Sequence, residues 1–220
     1  MEGIFQSADE VTKSPFQTAG TGAGDIKFRD IDGNDTINLK DRTFLGSFIP
    51  DFSYSLNLSA NYKNFGLTLF FQGVQGNKIY NATRTATEGM IRFFNAGTQV
   101  LDAWTPDHTN TDVPRAISSD PNQNARPSTR FLEDGSYLRL KNIMLSYNVP
   151  GKSLESLSKG AVKGLNIYVS AQNIFTLTNY SGFDPEVGNR TVSSTSLTNG
   201  VDYAVYPQPK GYQVGINVNF

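Results

Sequence analysis

Residues 212–220 read Y-Q-V-G-I-N-V-N-F, and no other stretch constrains the fold as strongly. Successive side chains of a strand point to opposite faces. Tyr212, Val214, Ile216, Val218 and Phe220 therefore line one face, and Gln213, Gly215, Asn217 and Asn219 the other. A strand that is apolar on one side, polar on the other and ends on an aromatic side chain fits two architectures. In an outer-membrane β-barrel, lipid covers the apolar face and the lumen wets the polar one. In a soluble sandwich, a second sheet covers the apolar face.

The same alternation recurs upstream. Residues 53–62 place Tyr54, Leu56, Leu58, Ala60 and Tyr62 on one face, against Ser and Asn on the other. Lys63-Asn64 makes a short turn into 65–74, where Phe65, Leu67, Leu69 and Phe71 share a face, so the pair reads as a hairpin. In the strand at 136–149, Ile143, Leu145 and Tyr147 have one parity and Leu138 and Leu140 the other, which predicts a bulge near Lys141-Asn142. Pro150 ends that strand, and residues 165–173 alternate again.

Short connections at Lys63-Asn64 and after Pro150 alternate with long polar ones at 75–134 and 174–210. This is the order of an up-and-down antiparallel sheet with one decorated rim, as in transmembrane barrels. The fold class expected is therefore all-β. Strands of nine to eleven residues, at ~3.3 Å per residue and tilted by about 45°, span roughly 21–26 Å, the height of a barrel's apolar band. Tyr54 and Tyr62 fall where aromatic girdles belong. A short helix is expected around residues 88–104.

Composition limits the function classes. There is no Cys, which removes disulfides, thiolate metal sites and thiol nucleophiles. A net charge of −1 lacks the basic surface that nucleic-acid binding needs. Mean hydropathy is −0.36, and no run approaches the ~18 apolar residues of a helical span, although barrels escape that criterion. Residues 1–7 lack the basic start and apolar core of a signal peptide. The expectation is either a cytoplasmic protein or the C-terminal part of something longer.

Residues 30–41 have calcium-loop spacing. Asp30, Asp32, Asn34, Asn38 and Asp41 supply side-chain oxygens at loop positions 1, 3, 5, 9 and 12, with the Thr36 carbonyl at position 7. Position 6 is Asp35 rather than Gly, and position 12 is Asp rather than Glu. The alternative is a solvated, metal-free turn. No other cofactor is called for, and no catalytic constellation occurs, so an enzyme is not expected. His108 sits in a polar loop near Asp102, Asp107 and Asp112. Asp184-Pro185-Glu186 pairs two carboxylates across a proline and reads as a structural turn. Phe93, Phe94 and Trp104 are candidate contacts to a substrate or a lid protein, or anchors of their own loop.

These motifs together resemble the SusC/RagA family of TonB-linked outer-membrane proteins of Bacteroidetes-type bacteria. The matching stretches are 24–30 running into the acidic turn, 62–65 with 71–74, 135–143, 172–176, Phe183-Asp184-Pro185-Glu186-Val187 and the terminal strand. Gln213, Gly215, Val218 and Phe220 also resemble the signal read by the barrel assembly machinery. The resemblance implies a plugged barrel of about 22 strands. It further implies import of glycan oligomers or peptides, a SusD-like surface lipoprotein as lid, and energy from TonB through the plug. The chain would be the C-terminal segment of that barrel, in contact with outer-membrane lipid, with 75–134 and 174–210 outside. Five strands cannot close a membrane barrel, the smallest of which have about eight, so the plug and the remaining strands would lie upstream. A soluble β-sandwich binding module with a calcium loop is the alternative. Within the strand cores only Arg139 and Lys141 are charged, which favours a wet lumen over a soluble surface.

Overall fold

The computed structural model describes residues 1–91, 95–159, 161–188, 190–193 and 196–220. Two compact units form. One comprises Met1–Gly46, Ile79–Glu133 and Arg190–Ala204, and the other Ser47–Lys78, Asp134–Asn189 and Val205–Phe220.

The second unit is built on one five-stranded antiparallel sheet. Its strands are β1 (Phe52–Tyr62), β2 (Phe65–Gln75), β3 (Tyr137–Asn148), β4 (Gly164–Thr178) and β5 (Gly211–Asn219). Each pairs only with its neighbours in sequence, giving a meander with β1 and β5 at the edges. Lys63 closes the first hairpin in the left-handed region, with φ of 53°. At the same end of the sheet, Pro150 caps a helix over Gly151–Ser158 that the sequence pattern did not predict. The N–H groups of Ser153 and Leu154 both donate to the Pro150 carbonyl, and Leu154 is buried.

The strand expected at 165–173 continues to Thr178. Asn173, with φ of 53°, interrupts the alternation, and pairing resumes with Phe175 opposite Leu140 and Leu177 opposite Leu138. In β3 the ladder to β2 pairs Asn142 with Phe70 and Leu140 with Phe71, leaving Lys141 as the extra residue. The bulge therefore lies where the parity change predicts it. It keeps Leu138 and Leu140 on the face of Ile143, Leu145 and Tyr147.

The first unit has a small apolar core and an extensive polar one. Gly3–Ile4 pairs with Ile26–Lys27, and Ile26, Phe28 and Ile37 pack together. Buried Gln17, Asn122 and Asn124 hold the backbone of Ile26 and Phe28 through their side-chain amides. Asn124 also donates to Asp25, which Arg115 clasps with two guanidinium nitrogens. Buried polar groups are tolerated only when bonded in this way.

Asn81 caps a helix over Ala82–Glu88. Among the described residues, no α-helix occupies the span expected around 88–104. Gly89 caps the chain there and Met90 takes a φ of 52°, so the helix precedes the predicted span. Among the described residues up to Trp104, a 3-10 turn at Thr98–Asp102 follows. Buried Glu88 pairs with both Arg84 and Arg130, and Arg84 also reaches Glu133.

Candidate functional site

The cross-strand register sorts the sheet into two chemically distinct faces. One row runs Tyr62, Phe65, Tyr147, Ile167 and Ile216, and the next Ala60, Leu67, Leu145, Val169 and Val214. A third holds Leu58, Leu69, Ile143, Ala171 and Tyr212. Above the bulge the rows continue through Leu56, Phe71, Leu140 and Phe175. This face is uncovered: Leu58 is 46% exposed, Val169 47% and Val214 76%. A soluble sandwich would bury these side chains under a second sheet, so the sandwich alternative does not describe this unit. An apolar face of this extent needs a nonaqueous partner, and lipid is the solvent that fits it.

The opposite face is mostly polar, with Phe70, Val74 and Met144 among its members. It carries Ser53, Ser55, Asn57, Ser59 and Asn61 on β1, and Asn166, Ser170 and Gln172 on β4. Gly215 on this face lies opposite Tyr168, whose ring covers it; a Cβ at 215 would clash with the Tyr168 Cζ. On the apolar face Tyr54 covers Gly73 in the same manner.

The bulge brings Arg139, Lys141 and Asn142 together on the polar face, where plain alternation would place two residues. Arg139 donates from Nη2 to Asp184 Oδ1 at 2.6 Å, from Nη1 to Glu186 Oε2 at 2.8 Å and from Nε to Thr176 Oγ1 at 3.0 Å. Lys141 Nζ reaches both Glu186 carboxylate oxygens at 2.8 Å. The remaining Asp184 oxygen accepts the Gln208 N–H. The Arg139 and Asp184 side chains are 3% and 5% exposed. Burial pushes the Asp184 pKa up. The bonds from Arg139, Gln208 N–H and Glu186 N–H outweigh it and hold the carboxyl below the usual aspartate range. Removing one partner of a buried pair like this typically costs about 3–5 kcal/mol.

The acidic turn lies in the first unit. Carboxylate oxygens of Asp30, Asp32 and Asp41 converge within 4.8 Å of one another. Asp30 accepts the N–H groups of Gly33 and Asp35, and Asp41 those of Ile31 and Asn38. Those N–H bonds, from Asn38 first and then Ile31, keep the Asp41 pKa below its usual range. Asp35 takes a φ of 59°, the left-handed conformation that glycine would adopt there at lower cost. Asn34, Thr36 and Asn38 are engaged within the loop: the Asn34 carbonyl accepts Thr36 N–H, the Asn38 carbonyl accepts Lys40 N–H, and Thr36 O accepts the Asn38 amide. The three carboxylates of the predicted set thus converge, and Asn34, Thr36 and Asn38 each make a bond within the same loop.

The remaining predicted residues separate. Phe93 and Phe94 lie outside the described residues. Trp104 is buried, and its indole N–H donates to Gln6 Oε1 while its ring lies against Gly24. It is a packing residue, and no face of it is offered to a substrate or lid. His108 bonds Asp102 at 2.8 Å in an exposed loop, and Thr111 joins the same carboxylate. Gln213, Gly215 and Val218 pair with Ser170, Tyr168 and Leu165, and Phe220 is 80% exposed beyond the ladder. Sequence reasoning noted Arg139 and Lys141 as the charges within strand cores, and Asp184 and Glu186 as a turn, without joining them. The available signal was electrostatic: two cations in an otherwise neutral wall require nearby anions.

The sheet and its two faces are those of a β-barrel wall segment, and the chain is similar to TonB-dependent receptors. Within that class the chain is SusC/RagA-like. It is 35% identical over its whole length to the TonB-dependent receptor P3 of Formosa agariphila, covering 21% of that protein. It is 26% identical to the TonB-dependent receptor SusC of Bacteroides thetaiotaomicron, over 88% of this chain and 17% of the relative. Among solved structures, the RagAB peptide importer in its "closed-closed" state superposes on 99% of this chain and 22% of its own with a TM-score of 0.73 and 29% identity. No protein-family model matches the chain. The chain spans about a fifth of the length of the relatives it matches.

Proposed function

We propose that this chain forms part of the wall of an outer-membrane importer of large nutrients, glycan oligomers or peptides. In this reading a SusD-like surface lipoprotein caps the barrel, and TonB supplies energy through a plug outside this chain. The observation that carries the reading is the five-stranded meander with one uncovered apolar face and one polar face, matched along its length to TonB-dependent receptors. The similarity to a peptide importer supports cargo of oligomer size. No catalytic step is assigned.

Affinity purification from detergent-solubilised outer membranes tests the proposal. The protein is expected in the outer-membrane fraction, migrating on gels in a heat-modifiable form and accompanied by a SusD-like lipoprotein. Recovery as a soluble monomer would overturn it.

We also propose that the 30–41 turn holds a calcium ion through Asp30, Asp32 and Asp41, with Asn34, Thr36 and Asn38 completing the oxygen shell. The spacing and the convergence of three carboxylates support this reading. At calcium about a hundredfold above Kd, binding adds about 2.7 kcal/mol of stability. Calorimetry on the detergent-purified protein should show saturable calcium binding that Asp30→Asn removes; identical heats for both proteins would refute the site.

A further inference from the structure

The β-bulge of β3 and the Asp184-Pro185-Glu186 turn form one device, and it extends the barrel reading on which it rests. The bulge inserts Lys141 without displacing any apolar side chain from the lipid face, so three consecutive polar-face positions, Arg139, Lys141 and Asn142, crowd one spot of the wall. Two are cations in a sheet whose polar face is otherwise neutral. Their counter-charges come from the connection between β4 and β5, which returns to the wall so that Asp184 and Glu186 meet them.

Each contact has a separate geometric role. Thr176 on the neighbouring strand holds Arg139 Nε, which aims the two terminal nitrogens at the turn. Tyr137 lies with its ring 5.4 Å from the guanidinium. The Glu186 N–H bonds back to Asp184 Oδ1, which locks the turn into the shape that presents both carboxylates. Asp184 Oδ2 then takes Gln208 N–H, so the same carboxylate ties the late part of the connection to its early part. Pro185, buried between the acids, limits the backbone freedom of the turn.

We propose that this turn is a luminal latch. It fixes the base of the β4–β5 connection to the bulge of β3, so that the connection near residues 184–186 and 208 is a stationary part of the pore lining rather than a mobile flap. Bulges recur beside functional sites because they re-aim side chains, and here the re-aimed side chain is the lysine that completes the grip on Glu186.

Trypsin added to cells expressing the outer-membrane protein that carries this chain reads the latch directly. Arg190 and Lys210 supply cleavage sites within the connection. Cleavage tracks the population of the opened form when opening is fast. Arg139→Met and Asp184→Asn should each raise the cleavage rate by roughly a hundredfold, and the double variant should be no worse than the more severe single, since both remove one buried pair. Lys141→Met, at a part-exposed position, should raise it less. Heat-modifiable migration is measured on the same samples. Unchanged cleavage in variants that migrate as folded barrels would overturn the latch, as would fully additive effects of Arg139→Met and Asp184→Asn. A wild-type protein absent from the membrane fraction would instead overturn the barrel reading.

Discussion

The Asp184 carboxyl shows how a single side chain sets a working range. Its pKa is depressed below the ordinary aspartate value of 3.8 because the ionised form collects bonds from Arg139 and two backbone N–H groups. A depressed acid contributes stability that is complete above its unfolded pKa and is lost as pH falls through the folded one. Cleavage of the β4–β5 connection by pepsin, normalised to an unstructured peptide, should stay flat as pH falls from about 5 and climb only below 3.8. Asp184→Asn should remove that step, and a rise that begins near neutrality would contradict the assignment. At this scale the sequence was legible in type and not in pairing. Arg139 and Lys141 stood out as charges within strand cores, and Asp184 and Glu186 as an acidic turn. Nothing in their spacing brings position 139 to position 184, because that contact depends on how a long connection returns to the wall. Trp104 stayed between contact and anchor for a related reason: an aromatic side chain in a polar stretch looks available until the Gly24 backbone and the Gln6 side chain close around it.

Among the elements, the strands were the most legible and the helices the least. Period-two alternation located all five strands of the main sheet, and a parity change located the bulge, because every side chain on a two-faced sheet must declare its side. Asn173 hid the last part of β4 by breaking the same pattern. The helices at Ala82–Glu88 and Gly151–Ser158 are too short for a helical period to show. In β5, Gly215 has two competing explanations, as part of an assembly signal or as the seat for the Tyr168 ring. Gly215→Ala should lower the yield of heat-modifiable barrel, with an overpacking cost of about 1–3 kcal/mol. The double variant with Tyr168→Ala separates the explanations: packing predicts that yield recovers, whereas recognition of the glycine itself predicts that it stays low.

At the scale of the whole molecule, two kinds of solidity coexist. The sheet unit has alternation that a reader of sequence can follow, and its uncovered apolar face reports the solvent it is built for. The other unit, Met1–Gly46 with Ile79–Glu133 and Arg190–Ala204, is held largely by Gln17, Asn122, Asn124, Asp25 and Arg115. Bonded amides and carboxylates carry no periodic signature, so the stretch at 75–134 looked like a loose insertion although most of it packs into a compact body. The bulge, finally, has a bearing on how such a wall changes length. Leu140 and Ile143 share a face only because Lys141 is an odd residue out. A shorter β3 without Lys141 keeps every other side chain on its present side, whereas loss of a residue elsewhere in the strand turns all those beyond it inside out. An even pair of unmatched residues, Asn173 and Ile174, sits across from it in β4 and leaves parity there untouched. Loss of this one residue therefore leaves the sidedness of the strand intact and gives up only the lysine's bonds to Glu186, so at this level the wall can shed a charge without rewriting its apolar face.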